Sequence, residues 1–216
     1  SSDVCSSDLR VASLCGMNRA VHKFGALLTR IIFAVCLLAS LRVSGAGIEV
    51  ADVDGKPHRP LELGSARAAV IVFTLHDCPI SNAFSPEINR LAREFAPKGF
   101  RFFVVHTDPE LSADEARGHA KEYALECPVL LDREHRLVRR LKATITPEVF
   151  VVADDGATLY HGRIDDRFAD LGKKRQEPTR RDLRLAMESV AAGKPIEVAA
   201  TKAVGCYIPE LCVPKK

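Results

Sequence analysis

The sequence predicts an α/β fold built around a mixed, mostly parallel central sheet. Apolar runs of strand length alternate with segments whose apolar residues recur at helical spacing, and two strands joined by a tight turn follow near the end. Strands that alternate with helices are typical of parallel sheets covered by helices, while a hairpin adds antiparallel strands at one side. With 216 residues, the chain is long enough for one domain with a substantial core.

The strands are predicted from local apolar patterns. Residues 48–53 alternate apolar and polar side chains, whereas 68–75 is a continuous apolar run of the kind that is buried on both faces of a sheet. Residues 154–156, Asp-Asp-Gly, form the expected turn of the hairpin. The predicted strands are 48–53, 68–75, 100–106, 129–131, 147–153 and 158–162.

The helices are predicted where apolar residues recur every three or four positions. Ser112 and Glu115 have the spacing of a capping box, and Thr179 is the expected N-terminal cap of the last helix. The predicted helices are 82–95, 112–123, 134–141 and 179–193. Residues 199–216 are expected to form an irregular tail that contains cysteines.

The first 46 residues are expected to lie outside the folded domain. Residues 1–16 repeat a short pattern without an initiator and are expected to be a non-native extension. Residues 17–46 have the pattern of a signal peptide, with a basic start, a short apolar run and small residues before a cleavage point near Gly47. The domain is therefore expected over residues 47–198, exported to the periplasm or cell envelope, with an uncleaved membrane anchor as the alternative.

The charge distribution supports this division. Five of the 31 lysines and arginines and two of the 28 aspartates and glutamates precede Gly47, which leaves 26 of each in the rest of the chain. A neutral domain gives no indication of nucleic acid or of an acidic membrane surface as a partner.

Cys78 is the most informative of the four cysteines that follow the leader. It stands between an apolar strand and a helical pattern, where unpaired backbone N–H groups and aligned peptide dipoles stabilise a thiolate. The thiolate is the nucleophilic form of cysteine, so this position favours reactivity over the alternative of a buried, inert thiol. The other three are Cys127, Cys206 and Cys212.

The chain resembles thioredoxin-fold proteins of the redoxin and peroxiredoxin-like branch, which includes alkyl hydroperoxide reductases and thiol-specific antioxidants. Cys78-Pro79-Ile80-Ser81 stands where these proteins have Cys-x-x-Cys, and Thr146-Pro147 stands where they have a cis-proline that faces the active cysteine. The resemblance covers roughly residues 48–192 and implies a three-layer α/β/α fold. It also implies that Cys78 is catalytic and that Thr146 and Pro147 position a substrate cysteine strand. Further similarity around residues 77–82, 162–166 and 203–206 points to an exported, peroxiredoxin-like subgroup.

The chain departs from this family pattern at the active site. Ser81 replaces the second cysteine, and a single thiol cannot resolve a mixed disulfide from within the same motif. Peroxiredoxins have a Thr or Ser three residues before the peroxidatic cysteine and a proline seven residues before it, and here these positions are Leu75 and Ile71. The pattern therefore argues against efficient peroxide reduction.

The resolving cysteine is left open by the sequence. Cys206 lies on the tail and could reach Cys78, or it could form a local bridge with Cys212 that staples the C-terminus. Cys127, just before a predicted strand, is a further resolving candidate or else a structural thiol. Four cysteines permit three complete pairings, and the sequence does not choose among them.

The residues around Cys78 are candidates for tuning its pKa. A protonated His76 would lower the pKa of the thiol and Asp77 would raise it, and a solvated polar turn is the alternative for both. Pro79 and Ser81 complete the set of tuning candidates. His76 and Cys78 could also bind copper, although two ligands at this spacing are weak evidence. His106, His119, His135 and His161 are interpreted as surface or strand-end residues.

Three hypotheses follow from the sequence. The first is an exported thiol–disulfide oxidoreductase without a cofactor, which acts on protein thiols and disulfides or on small thiol oxidants. The second is a thiol peroxidase in which Cys78 forms a sulfenic acid. The third is a copper-handling or redox-silent binding module. No metal site is expected under the first two hypotheses, and the oligomeric state is left open.

Overall fold

The computed structural model describes residues 47–211. The expected extension over 1–16, the expected leader over 17–46, and Cys212 therefore lie outside the described residues. Within the described part of the chain, no helix is both long enough and apolar enough to cross a membrane.

The described residues form eleven strands and five α-helices. The strands are β1 Val50–Ala51, β2 Pro57–His58, β3 Ala68–Thr74, β4 Phe100–His106, β5 Val129–Leu131, β6 Ile145–Thr146, β7 Glu148–Val152, β8 Thr158–Gly162, β9 Phe168–Asp170, β10 Lys173–Lys174 and β11 Cys206–Tyr207. The helices are α1 Pro79–Ala83, α2 Ser85–Phe95, α3 Ala113–Glu122, α4 Arg136–Leu141 and α5 Asp182–Ala191.

The central sheet has five strands in the order β5-β4-β3-β7-β8. Strands β3, β4 and β5 are parallel, and β7 and β8 add an antiparallel hairpin next to β3. All seven side chains of β3 and all five of β7 are buried, as expected for the middle of a sheet that is covered on both faces. The predicted mixed central sheet is confirmed.

Helices cover both faces of this sheet. Apolar side chains of α2 and α5, among them Leu91 and Met187, pack with Val70 and Val104 on one face. On the other face, Leu137 of α4 packs with strand residues whose side chains point the opposite way. Burial of these apolar surfaces is the main force that holds the three layers together. The arrangement is a thioredoxin-like α/β/α fold, as the sequence resemblance implies.

Several helix boundaries follow local chemistry that the sequence reveals. The Ser112 hydroxyl accepts from the Glu115 N–H at 3.2 Å, and the Glu115 carboxylate accepts from the Ser112 N–H at 2.9 Å, so the predicted capping box is confirmed. The predicted helix over 82–95 instead begins at Pro79 and is interrupted at Phe84. Pro86 lacks the N–H that would continue the helical hydrogen bonds across this point.

The expected cap at Thr179 is wrong. The Thr179 N–H and hydroxyl both donate to the carboxylate of Asp166, and α5 begins three residues later, after Arg181. Thr179 thus fastens the preceding loop to residue 166, a long-range contact that the local sequence does not show.

The tail is less irregular than the sequence suggests. Most of residues 199–211 has no regular structure, but β11 pairs with β6 in a small antiparallel sheet, and Ala200 forms a bridge with His161 of β8. Neither β6 nor β11 is predicted from the sequence, because each has only two residues and depends on the other for its hydrogen bonds.

Candidate functional site

The candidate site lies at one end of the sheet, where two central strands meet. Cys78 follows the C-terminal end of β3, and Thr146 and Pro147 precede the N-terminal end of β7. Because β7 runs antiparallel to β3, with Phe73 opposite Glu148, the two segments emerge side by side. The fold therefore brings together residues that are 68 positions apart in the chain.

Cys78 is held in a defined position between β3 and α1. It is the N-terminal cap residue of α1, its N–H donates to the Leu75 carbonyl at 3.3 Å, and its carbonyl accepts from Asn82 N–H at 3.0 Å. The residue is 1% exposed, and its Sγ donates to the Thr146 carbonyl oxygen at 3.5 Å. The Thr146–Pro147 bond is cis, as the family resemblance implies.

Strand β11 places a second thiol at the same point. Cys206 is the register partner of Thr146, and Tyr207 is the partner of Ile145. The Thr146 hydroxyl donates to the Cys206 carbonyl at 3.3 Å, and Ile208 N–H donates to the Thr144 carbonyl at 3.2 Å. This pairing places Cys206 opposite the residue whose carbonyl accepts from Cys78, and both thiols are free.

The pKa values of the two thiols are shifted in opposite directions. Burial raises the pKa of Cys78, but hydrogen bonds from the side chains and backbones of Cys206 and Ser81 outweigh it and lower that pKa below the usual thiol value. Burial, together with the neighbouring Cys78 thiolate and the charge of Asp77, raises the pKa of Cys206 to about 12. As pH rises, Cys78 therefore loses its proton first, while Cys206 remains a thiol that donates to it.

Ser81 has a specific place in this arrangement. Its side chain is 3% exposed, and its hydroxyl has no hydrogen-bond partner among the described residues while Cys78 is a protonated thiol. A buried hydroxyl without a partner is costly, and ionisation of Cys78 provides an acceptor for it. Serine thus keeps a donor at the position where the sequence resemblance implies a second cysteine.

The other tuning candidates are more exposed. The side chains of Asp77 and Pro79 are exposed, and His76 is partly exposed with its Nδ1 3.7 Å from an Asp108 carboxylate oxygen. Asp77 acts on Cys206 by raising its pKa, whereas His76 is not among the groups that lower the pKa of Cys78.

The structure also contains a buried pair of histidines behind the loop that precedes Cys78. His106 and His119 are buried, with ring centroids 4.9 Å apart, and His119 Nε2 donates to Asn82 Oδ1 at 2.8 Å. Asn82 Nδ2 in turn donates to the His76 carbonyl at 2.9 Å. Burial, with smaller contributions from His119 and His76, lowers the pKa of His106 to about 3, so the ring stays neutral. The His119 ring is thus connected through Asn82 to the loop that precedes Cys78. No spacing pattern in the sequence indicates this connection.

His135 is also buried, where its Nε2 donates to the Thr107 carbonyl at 2.7 Å, whereas His161 is exposed. His106 is the last residue of β4, as the strand-end interpretation predicts, although it is buried. For His119 and His135, which are buried outside the strands, the surface or strand-end interpretation is wrong. Across residues 47–211, no group of three or more His, Cys, Asp or Glu side chains is arranged to hold a metal ion.

Cys127 lies in a different environment from Cys78. It packs in the core with Ala92 and Phe100 and forms part of the wall of a cavity of about 810 Å³ that the residues around Cys78 do not line. Burial and the adjacent Glu126 raise the pKa of Cys127 to about 12, so it remains a protonated thiol. Of the resolving candidates within the described residues, only Cys206 interacts with Cys78.

The donors around Cys78 lead to a pH prediction. Replacing Ser81 or Cys206 with alanine removes a hydrogen bond to the thiolate, so each change is expected to raise the pKa of Cys78. The pH midpoint of Cys78 alkylation should then move upward in both variants. The matched control Cys127→Ala should leave the midpoint in place, and an unchanged midpoint in Ser81→Ala would contradict this account.

Comparison with known proteins identifies one family. The model of the AhpC/TSA family matches residues 46–161, which is more than half of the chain. None of the curated proteins matches the sequence.

Solved structures with the same fold are numerous. An uncharacterized conserved protein from Geobacillus kaustophilus has 24% identity and a TM-score of 0.66, over 77% of this chain and 89% of its own. A hypothetical protein from Sinorhizobium meliloti 1021 has 23% identity and a TM-score of 0.69, over 78% and 93%. MTB dsbF, in its mixed oxidized and reduced forms, has 14% identity and a TM-score of 0.50, over 66% and 94%. At these identities the likenesses establish the fold alone.

Proposed function

The chain belongs to the AhpC/TSA family, and from this membership and the geometry around Cys78 we propose that it is an exported thiol–disulfide oxidoreductase of the redoxin type. Cys78 is the proposed nucleophile, and Cys206 is the proposed resolving cysteine. The observation that carries the proposal is the pairing of Cys206 with Thr146, which holds a second thiol against Cys78.

The proposed reaction has two exchange steps. The Cys78 thiolate attacks one sulfur of a partner disulfide, the partner's other sulfur leaves as a thiolate, and a mixed disulfide forms. The Cys206 sulfur, after losing its proton, then attacks the Cys78 sulfur and releases the partner's second thiolate. The partner ends as a dithiol and the enzyme as a Cys78–Cys206 disulfide, which an external dithiol reduces to restart the cycle. The same steps in reverse would oxidise a partner dithiol.

The surrounding residues have separate roles in this proposal. Ser81 and Cys206 donate hydrogen bonds that stabilise the attacking thiolate, which compensates for its burial. Thr146 is a positioning residue, because its carbonyl accepts from Cys78 and its hydroxyl holds the strand that carries Cys206. Pro147 is buried beside this strand and is proposed to shape the same edge.

Export is proposed from the sequence alone. The predicted signal peptide over residues 17–46 would deliver the domain to the periplasm or cell envelope, where a disulfide can persist. Partners there would be protein thiols and disulfides or small thiol oxidants.

Peroxide reduction is a weaker candidate. Leu75 is buried three residues before Cys78 and offers no hydroxyl, and the hydroxyl of Thr74 donates to the neighbouring Leu75 carbonyl at 3.5 Å. The usual donor to a bound peroxide is therefore missing at that position.

Disulfide mapping tests the proposal. The full chain, oxidised with a small disulfide and digested without reduction, is expected to yield a peptide pair joined through Cys78 and Cys206, with Cys127 free. The variant Cys127→Ser should give the same bridge. A bridge between Cys206 and Cys212 with Cys78 free would instead mean that Cys78 works as a single thiol, and would overturn the assigned role of Cys206.

A further inference from the structure

Strand β11 occupies an edge that is suited to another extended segment. The backbone of Ile145 and Thr146 pairs with Tyr207 and Cys206 in antiparallel register, and the Thr146 hydroxyl adds a side-chain contact. A strand edge binds extended polypeptide through backbone groups with little regard for most side chains. The large side chain of Tyr207 is 82% exposed, so β11 is held by its backbone and by Cys206 more than by apolar packing.

The tail also contacts the proposed nucleophile. Cys78 is 1% exposed, and its sulfur donates to the Thr146 carbonyl and interacts with Cys206. Thiol–disulfide exchange requires the attacking sulfur to reach a disulfide sulfur directly. Displacement of β11, which carries Cys206, would uncover this buried sulfur on the side that Cys206 contacts.

The tail is anchored a few residues before β11. His161 N–H donates to the Ala199 carbonyl and Thr201 N–H to the His161 carbonyl, each at 3.0 Å. The Thr201 hydroxyl accepts from Arg163 N–H at 3.0 Å and pairs with the Tyr160 hydroxyl at 2.7 Å. A Cβ on Gly162 would lie 2.2 Å from the Thr201 carbonyl oxygen, so this close approach requires glycine. Opening of β11 can therefore leave Cys206 tethered near the site.

The residue before Cys206 is also restricted. A Cβ on Gly205 would lie 1.8 Å from the Thr146 carbonyl oxygen, 2.6 Å from its carbon and 3.1 Å from Pro147 Cδ. The first two atoms are backbone at the edge that β11 occupies, so they cannot yield as a flexible side chain could. A strand that takes this place in the same register must have glycine immediately before its cysteine.

We propose that residues 203–208 are an internal competitor for this edge, and that the polypeptides able to replace them present a cysteine preceded by glycine in an extended segment. This inference rests on the proposed function for its chemistry. It adds that residues 203–208, called the gate below, control access to Cys78. It also adds that the gate and the partner both need a glycine directly before the cysteine.

Alkylation tests the gate without any exchange activity. Gly205→Ala is expected to raise the limiting, high-pH rate of Cys78 alkylation by about tenfold or more, since a destabilised local contact opens more often. The matched control is Gly118→Ala, because a Cβ at that helical glycine meets nothing within 4 Å. Cys127 in the same sample reports global unfolding, and its alkylation should remain slow. The proposed gate would be refuted if Cys78 were alkylated at equal rates in Gly205→Ala and Gly118→Ala. It would also be refuted if the alkylation of Cys127 accelerated in parallel with that of Cys78.

Two peptides test the partner requirement. One reproduces residues 202–208 with its cysteine activated as a mixed disulfide with a small thiol, and the other differs only by alanine in place of glycine. With the full-chain variant Cys206→Ser, which lacks the proposed resolving thiol, the glycine peptide should form a mixed disulfide with Cys78 about tenfold faster than the alanine peptide. Equal rates would overturn the glycine requirement.

The two experiments separate failure of the inference from failure of the proposed function. If Gly205→Ala opens the site to alkylation but neither peptide reacts, the gate stands and the oxidoreductase proposal, with its partner class, fails. If both peptides react at equal rates, the oxidoreductase proposal stands and the glycine requirement fails.

Discussion

Replacement of Cys78 by serine is expected to abolish disulfide exchange, with a loss on the order of a thousandfold or more, because it removes the nucleophile and with it the covalent path. The rate of reduction of a peptide disulfide by the full chain, with an external dithiol as the electron source, measures the loss. The matched variant Cys127→Ser should retain most of the activity, since that thiol lies in the core and keeps its proton. Activity that survives in Cys78→Ser would refute the proposed function.

The variant Cys206→Ser separates the two steps. Cys78 would still attack, but the mixed disulfide would lack the one thiol that, among the described residues, interacts with Cys78, so a one-to-one adduct should accumulate in intact-mass spectra. The double variant Cys78→Ser, Cys206→Ser should form no adduct. If Cys206→Ser turns over as fast as the unmodified chain without an adduct, an external thiol performs the resolution and Cys206 has another role.

Replacement of Asp132 by alanine is expected to cause the largest loss of stability outside the apolar core. Its carboxylate is 2% exposed and accepts from the backbone N–H groups of Arg136 at 2.7 Å, and of Leu137 and Val138 at 2.9 Å each. These N–H groups begin α4, whose own cap residue, His135, provides no side-chain hydrogen bond. A single unsatisfied buried donor costs about 1–3 kcal/mol, so the free energy of unfolding should fall by about 3 kcal/mol.

Denaturant unfolding at neutral pH measures this loss. The exposed helix residue Asp114 provides the control, because its ion pair with Arg117 lies in solvent and Asp114→Ala should change stability little. The loss of stability in Asp132→Asn should lie between the losses in Asp132→Ala and Asp114→Ala. The amide keeps one oxygen acceptor but presents N–H groups where the second carboxylate oxygen accepts. A loss in Asp132→Ala no larger than that in Asp114→Ala would show that water replaces the carboxylate at the start of α4.

Much of the fold is predictable because its signals are local. The continuous apolar run at 68–75 and the capping box at Ser112 and Glu115 each determine a neighbouring element, and both agree with the structure to within about a residue. The interruption at Phe84 and the false cap at Thr179 are different. In the first, a proline overrides helical periodicity, and in the second, a carboxylate from a distant loop takes the residue that would have capped the helix.

The candidate site is predictable only where its signals are local in the sequence. Position at the end of a strand identifies Cys78, and the family resemblance identifies Thr146 and Pro147. The sequence leaves open whether Cys206 reaches Cys78 or pairs with Cys212, and whether Cys127 is a resolving or a structural thiol. The chain by itself determined the position of the proposed nucleophile at the end of a strand, the alternating strands and helices, and the serine in place of a second cysteine. Tertiary structure alone decided that Cys206 meets Cys78, because β11 forms by pairing with β6, which is distant in the chain. The close approach that requires glycine at position 205 is visible only once this pairing is known.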